Sequence, residues 1–406
     1  MKVKNILESY YFIFIFIFIL GCFSQIYFTL VFYHEFFKNL FLILMVFLSI
    51  VCLFMIFTIN KFVVNKGFLF IFSFIGFVVI SLFFQFLFLP NKVDRDGVYA
   101  LNHALTTGVS GVAWIIMGAA LSFCCQSVRR NNYIGFLLIA IMFLVLFPLI
   151  SSGGINYWEL SKENEGMKLT HLTIAIYSSI ILLLANAFIF RYEVVALVFS
   201  VIILFILGGR SDLIIFFLTF IVYWVISGKL KISHFFVLLP VFVFLPILAF
   251  YFGLLDGIEW GGFENLVKIT EDESFVARLI LMKHSFANLP EQILFGNPNL
   301  LLLDNVEIPA LYNTIGANFH NILGFWQYYG FIVWLLCVVY IFYTITILPK
   351  YLNTPNLDFV NKFGILLFVF TTLSVVLTKS MTFYLFWMSL GFWSVKFFEK
   401  IDKLVE

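Results

Sequence analysis

Apolar residues run along this chain in blocks of roughly 17 to 25, the length a helix needs to cross a hydrocarbon core of about 30 Å. The blocks fall near residues 10–31, 40–59, 68–89, 106–126, 133–151, 169–190, 192–208, 212–228, 233–252, 319–347, 362–378 and 382–398. This pattern predicts twelve membrane-spanning helices. A backbone in lipid must satisfy its own hydrogen bonds, so the expected fold class is all-α. Short turns join the blocks except between the ninth and tenth, where a polar interruption runs from about Tyr251 to Asn318. Only there is there room to build a site outside the bilayer. The expected organisation is one transmembrane domain over 1–406 with a loop subdomain inserted at 253–318.

Inside that loop, Thr270-Glu271-Asp272-Glu273 has the Thr-x-x-Glu form of a capping box, and its acids suit a helix N-terminus. Phe275, Leu279, Met282 and Phe286 then recur at helical spacing, and Pro290 closes the segment. The reading is an amphipathic helix near 271–288 that lies along the membrane or against the bundle.

Composition agrees with the pattern. Of 406 residues, 63% are hydrophobic and 11% charged, which excludes a water-soluble domain. Lys2 and Lys4 before the first block suggest a secretory signal at first sight. The apolar run continues past a signal's length with no small-residue cleavage site, so it reads as a retained helix. All five cysteines (Cys22, Cys52, Cys124, Cys125 and Cys337) lie in apolar blocks, where they act as small hydrophobes rather than metal ligands or a disulfide framework.

The formal net charge of +2 gives no reason to expect nucleic acid, but the distribution of charge sets orientation. With both termini cytoplasmic, 14 of the 24 lysines and arginines face the cytoplasm, Lys362 among them, and the short outer loops carry seven. The remaining three, Lys268, Arg278 and Lys283, lie in the long loop, which the positive-inside rule does not count. The long loop is therefore expected on the extracytoplasmic side.

Few residues could carry chemistry. Arg210 stands in Gly208-Gly209-Arg210-Ser211-Asp212, between two short blocks on the outer side. Either Asp212 neutralises it as an interfacial anchor, or the glycines let backbone and guanidinium approach an anionic headgroup that arginine grips bidentately. Arg278, beside the apolar face of the loop helix, has the same two readings. A pair of converging arginines would clamp a pyrophosphate. His320 enters the tenth block beside Asn321, placed to take a proton near neutral pH or to serve as a hydrated interfacial residue. Lys379, in the last outer turn, is a further cation for a lipid phosphate or an ordinary anchor. His34, His103, His171, His234 and His284 have no better claim, and no pair has metal-ligand spacing. The absence of nucleotide-binding and serine-nucleophile motifs disfavours nucleotide chemistry.

Taken in order, four features resemble the O-antigen polymerase and O-antigen ligase family of bacterial glycan-assembling membrane proteins. They are the Gly-Gly-Arg-Ser turn, Arg278 within Phe275-Val276-Ala277-Arg278-Leu279, the Pro-x-x-x-Leu-Phe-Gly stretch from Pro290 to Gly296, and His320-Asn321 leading to an aromatic run and Gly330. The resemblance covers Arg210 to Gly330; the first six blocks match in topology alone.

It implies a membrane glycosyltransferase of the GT-C-like kind in the bacterial inner membrane. Arg210 and Arg278 would bind the diphosphate of an undecaprenyl-linked oligosaccharide, and His320 would activate the acceptor hydroxyl, with Asn321 and Lys379 in support. No metal and no cofactor is called for, because a polyprenyl diphosphate is already a good leaving group. Membrane lipid and a polysaccharide chain-length regulator are the other implied partners. The alternatives are a ligase passing the glycan to lipid A core and, from another class, a lipid-linked oligosaccharide flippase. A flippase calls for charged residues lining its spans, and these blocks are nearly free of charge.

Overall fold

The computed structural model describes residues 2–32, 36–59, 66–93, 97–125, 128, 131–151, 170–207, 210–231, 280, 283, 286–287, 294–301, 321–352, 358–377, 379 and 383–405. Among them the structure is helical, apart from turns and one isolated antiparallel bridge between Val93 and Tyr99. The helices are α1 (Lys2–Phe32), α2 (Phe36–Ile59), α3 (Lys66–Phe88), α4 (Ala100–Cys124), α5 (Asn132–Ser151), α6 (Thr170–Phe188), α7 (Glu193–Ile206) and α8 (Arg210–Ile226). After a 3-10 turn at Pro298–Leu301 come α9 (Leu323–Tyr329), α10 (Phe331–Leu352), α11 (Phe359–Leu377) and α12 (Tyr384–Val405).

Among the described residues, five stretches are long and apolar enough to cross a membrane: Tyr10–Tyr27, Leu69–Phe88, Ala100–Cys124, Phe331–Pro349 and Phe359–Leu377. The ninth predicted block, 233–252, lies outside the described residues, as does most of the loop subdomain and its amphipathic helix. The tenth block differs from expectation. It is two helices, broken where Gly330 takes φ +90°, a conformation that L side chains rarely adopt.

The chain forms two compact units. The first comprises residues 1–52, 121–261 and 348–370. Its spine is α6, buried at every position from Tyr177 to Ile189, with α1, α5 and α7 packed around it. A helix apolar all round belongs in the interior rather than at the lipid surface. Residues 359–370 of α11 are likewise all buried. The Phe188 and Phe359 rings stack at 4.2 Å, and Phe216 meets Phe370 at 6.0 Å. The Cys52 and Cys124 sulfurs touch at 3.5 Å, and all five cysteines are buried with none in a disulfide.

One charge in this unit lies in its interior. Lys362, expected on the cytoplasmic side, stands in the first turns of α11 with its side chain wholly buried. Its ammonium sits 2.8 Å from Glu193 Oε1, donates to the Ile189 carbonyl, and lies 4.5 Å from the Phe190 ring centroid. Glu193 opens α7 and also accepts the Trp224 indole N–H at 3.0 Å, while Lys229 Nζ approaches it at 3.5 Å. The cause is geometric. The ends of α6, α7, α8 and α11 meet, so the one lysine at the start of α11 falls inside the bundle and is matched by the one acid opposite.

The second unit comprises residues 53–120, 262–347 and 371–406. Here α12 packs along α3, and its backbone also meets that of α4. A Cβ on Gly118 would fall on the Met388 carbonyl oxygen, and one on Gly391 on the Ile115 carbonyl oxygen. Helices in lipid gain from such close approach of small residues. Trp387 fills the space beside this crossing, fully buried, with Phe74 at 5.5 Å and Phe325 at 5.3 Å.

Gly391→Ala is expected to destabilise the protein by about 1–3 kcal/mol, the usual range for overpacking. Gly76→Ala, in α3 with nothing within 4 Å of the new methyl, should be neutral or stabilising. Melting of the two purified variants in detergent tests the pair, and equal melting temperatures would refute the backbone crossing.

Candidate functional site

The second unit gathers polar side chains where the end of α3, the start of α4, residues 294–301 and α9 meet. α3 stops at Phe88 ahead of Pro90, which cannot donate to a further helical turn. Ser81 and Gln85, one helical turn apart, share a face. Ser81 Oγ donates to the Tyr329 carbonyl at 2.6 Å, and Gln85 Nε2 donates to the carbonyls of Tyr328 and Phe295. The carbonyls of a helix's last turn have no partner within the helix. Side chains of α3 thus cap the C-terminal end of α9.

The segment 294–301 is tied to both neighbours. Asn297 N donates to the Gln327 carbonyl at 2.8 Å, and Asn299 Nδ2 donates to the Pro90 carbonyl at 2.6 Å. Lys92 N returns a bond to Asn299 Oδ1 at 3.0 Å, and the Phe84 and Phe295 rings stack at 4.2 Å. Two glycines make this approach possible. Gly296 has φ +72°, and a Cβ there would lie 2.7 Å from the Gln327 carbonyl oxygen. A Cβ on Gly330 would overlap the Leu294 carbonyl. The Leu-Phe-Gly stretch and Gly330, distant in sequence, are therefore the two sides of one backbone contact.

From α4, whose first turn is capped by Asn91 Oδ1 accepting from Leu101 N at 3.1 Å, His103 reaches α9. Its Nδ1 lies 3.4 Å from the Tyr328 hydroxyl, and the Tyr329 hydroxyl donates to the Ala104 carbonyl at 3.0 Å. Tyr328 is buried, whereas His103 is half-buried.

The residues singled out from sequence are distributed as follows. Asn321 Oδ1 accepts from Leu323 N at 2.9 Å, a side-chain turn that spans Ile322, the N-cap residue of α9, and leads into the helix. The helix therefore begins at Leu323 rather than at Phe319. His320 and Arg278 lie outside the described residues. Arg210 is the first residue of α8, in the first unit, with Asp212 buried in the same turn; nothing is described of the Arg210 side chain. Lys379 follows α11 in the second unit. Its N–H bonds the Ser374 carbonyl at 2.7 Å, and its ammonium lies 6.0 Å from the Phe383 ring centroid.

The sequence reading passed over Gln85, His103, Tyr328 and Gln327. His103 lies ahead of the apolar block expected near 106–126, whereas α4 starts at Ala100 and takes His103 into its first turn. The Pro90-Asn91 pair was the available signal, since an Asx side chain after a proline commonly opens the next element.

Fold and site together define an all-α protein with helices long and apolar enough to cross a membrane and a hydrogen-bonded polar junction at one end of its second unit. No family model, curated protein or solved structure matches the chain.

Proposed function

We propose that this protein polymerises undecaprenyl-diphosphate-linked oligosaccharide repeat units into a surface polysaccharide, an O-antigen or similar polymer. It would be a twelve-span glycosyltransferase of the bacterial inner membrane, with cytoplasmic termini and a periplasmic site. One observation carries the reading. Three motif pieces from separate places in the sequence (Leu294 to Gly296, Asn321 and Gly330) build one local structure, with α9 between them. In the sequence His320 stands two residues before Ile322, the N-cap of that helix. Sidedness fits as well, because the α3–α4 junction and residues 294–301, both periplasmic by the charge count, are hydrogen-bonded to each other.

In this reading, Arg210 and Arg278 stabilise the departing pyrophosphate, and His320 takes the proton from a sugar hydroxyl of the incoming repeat unit. The new glycosidic bond forms as the bond to the diphosphate breaks, inverting the anomeric centre in one displacement. The lengths of α7 and α8, 14 and 17 residues, suit this role for Arg210. At 1.5 Å per residue they reach only about 21 and 25 Å, which supports reading the Gly208-Gly209 turn as lying below the outer surface. The flippase reading draws on the buried Lys362–Glu193 pair, but the partners of that pair are protein groups at helix ends, the mark of packing rather than of a translocation path.

The test compares wild type and His320→Ala, at matched membrane abundance, in a host lacking its own polymerase but holding the matching repeat-unit genes. Wild type should give a lipopolysaccharide ladder and His320→Ala a single capped repeat, since losing a general base slows transfer about 10²–10⁴-fold. A ladder already present on the undecaprenyl carrier without this protein, and absent from lipid A core, would make it a ligase. Identical ladders from both variants would remove His320 from the chemistry.

A further inference from the structure

Helix α9 carries more unpartnered polarity than packing explains. Both atoms of the Gln327 side-chain amide are buried without a hydrogen-bond partner, and so is the Trp326 indole N–H. Gln85 Oε1, on the facing helix, is in the same state. Gln327 is fully buried and Gln85 nearly so. Leaving such groups unmade is costly, and a native chain keeps them where a ligand or water uses them.

The same junction of elements holds the half-buried His103, with Tyr328 at its Nδ1, and an aromatic shelf. That shelf consists of Phe84 stacked on Phe295, with Phe88 stacked at 5.8 Å on the other side and largely exposed. A side-chain amide offers a donor and an acceptor together, as does a sugar hydroxyl, and an imidazole offers one or the other. The apolar C–H face of a pyranose packs on an aromatic ring, while its hydroxyls take such polar groups. Amide, imidazole and aromatic shelf thus match a saccharide better than a phosphate, which would call for arginine or lysine.

We infer that the junction of α3, α4 and α9 is a saccharide subsite that binds a pyranose of the lipid-linked glycan through His103, Gln327 and the Phe88–Phe295 shelf, with Tyr328 orienting His103. The inference rests on the polymerase reading for the identity of the glycan, but its binding test stands apart from turnover.

Purified full-length protein is melted in the presence of two probes. One is the undecaprenyl-diphosphate-linked repeat unit extracted from the matching polymerase-deficient host, and the other is undecaprenyl diphosphate alone. Wild type should be stabilised more by the first, and the difference is the glycan-dependent shift. His103→Ala and Gln327→Leu should need at least tenfold more repeat unit for the same shift, while His103→Gln, which keeps a hydrogen-bonding group, stays within about threefold of wild type.

Without ligand, Gln327→Leu should melt no lower than wild type, because it removes an amide that has no protein partner. A merely structural glutamine would give the opposite result. Equal wild-type stabilisation by the two probes, retention of the shift in His103→Ala and Gln327→Leu, or a lowered melting point for unliganded Gln327→Leu would each overturn the subsite. Polymerisation by wild type is scored separately. A glycan-dependent shift without any elongation would leave the subsite standing and remove the polymerase.

Discussion

Replacing Lys362 with methionine is expected to destabilise the protein by about 3–5 kcal/mol, the range for breaking a buried ion pair on one side. The loss comes less from the missing attraction than from Glu193, which stays buried with only Trp224 and the half-exposed Lys229 to answer its charge. The double variant Lys362→Met with Glu193→Gln leaves no unpaired acid, so most of the loss should be recovered. A double-mutant cycle in melting or denaturant experiments on detergent-solubilised protein reads this directly. A single-variant cost below about 1 kcal/mol, the range of an exposed pair, would mean that water reaches the site.

The second large effect is expected at Gly330. An alanine there must hold φ near +90°, costing ~1–2 kcal/mol as left-handed conformations do for L residues. Its methyl must also displace the Leu294 carbonyl, at a further ~1–3 kcal/mol of overpacking. Gly296→Ala strains the same backbone contact from the other side. The two substitutions share one cause, so the double variant should cost less than the sum of the singles. Additive losses would show that the segments 294–297 and 327–330 are not in contact.

Hydropathy located the helices well because burial in lipid and burial in protein both demand apolar side chains. For the same reason it could not see the break at Gly330, since apolar residues continue on both sides and only the backbone dihedral changes. It also misplaced the start of α4, where polar residues from Asn102 to Thr107 occupy the first turns of a helix. The burial of Lys362 was not legible, because position in the sequence says only that a residue is near a helix end, not whether other helix ends close over it. In the site, the motif glycines and Asn321 were legible as sequence. Their roles as a close-approach pair and as the turn leading into α9 needed coordinates. Gln327 and Tyr328 were hidden in the aromatic run that follows, where amide and phenol look like ordinary interfacial residues.

The buried course of α11 bears on how the first unit is assembled during synthesis. Among the described residues its other helices, α1, most of α2 and α5 to α8, end by Ile226, yet the buried helix α11 begins at Phe359. At the usual 5–20 residues per second, the ribosome needs roughly 7 s to half a minute to bridge that gap. Throughout that interval Glu193 lacks Lys362 and the Phe188 ring lacks Phe359. The growing chain must therefore wait as a partly assembled bundle, a natural client for a membrane insertase or chaperone, until the C-terminal part arrives to complete it.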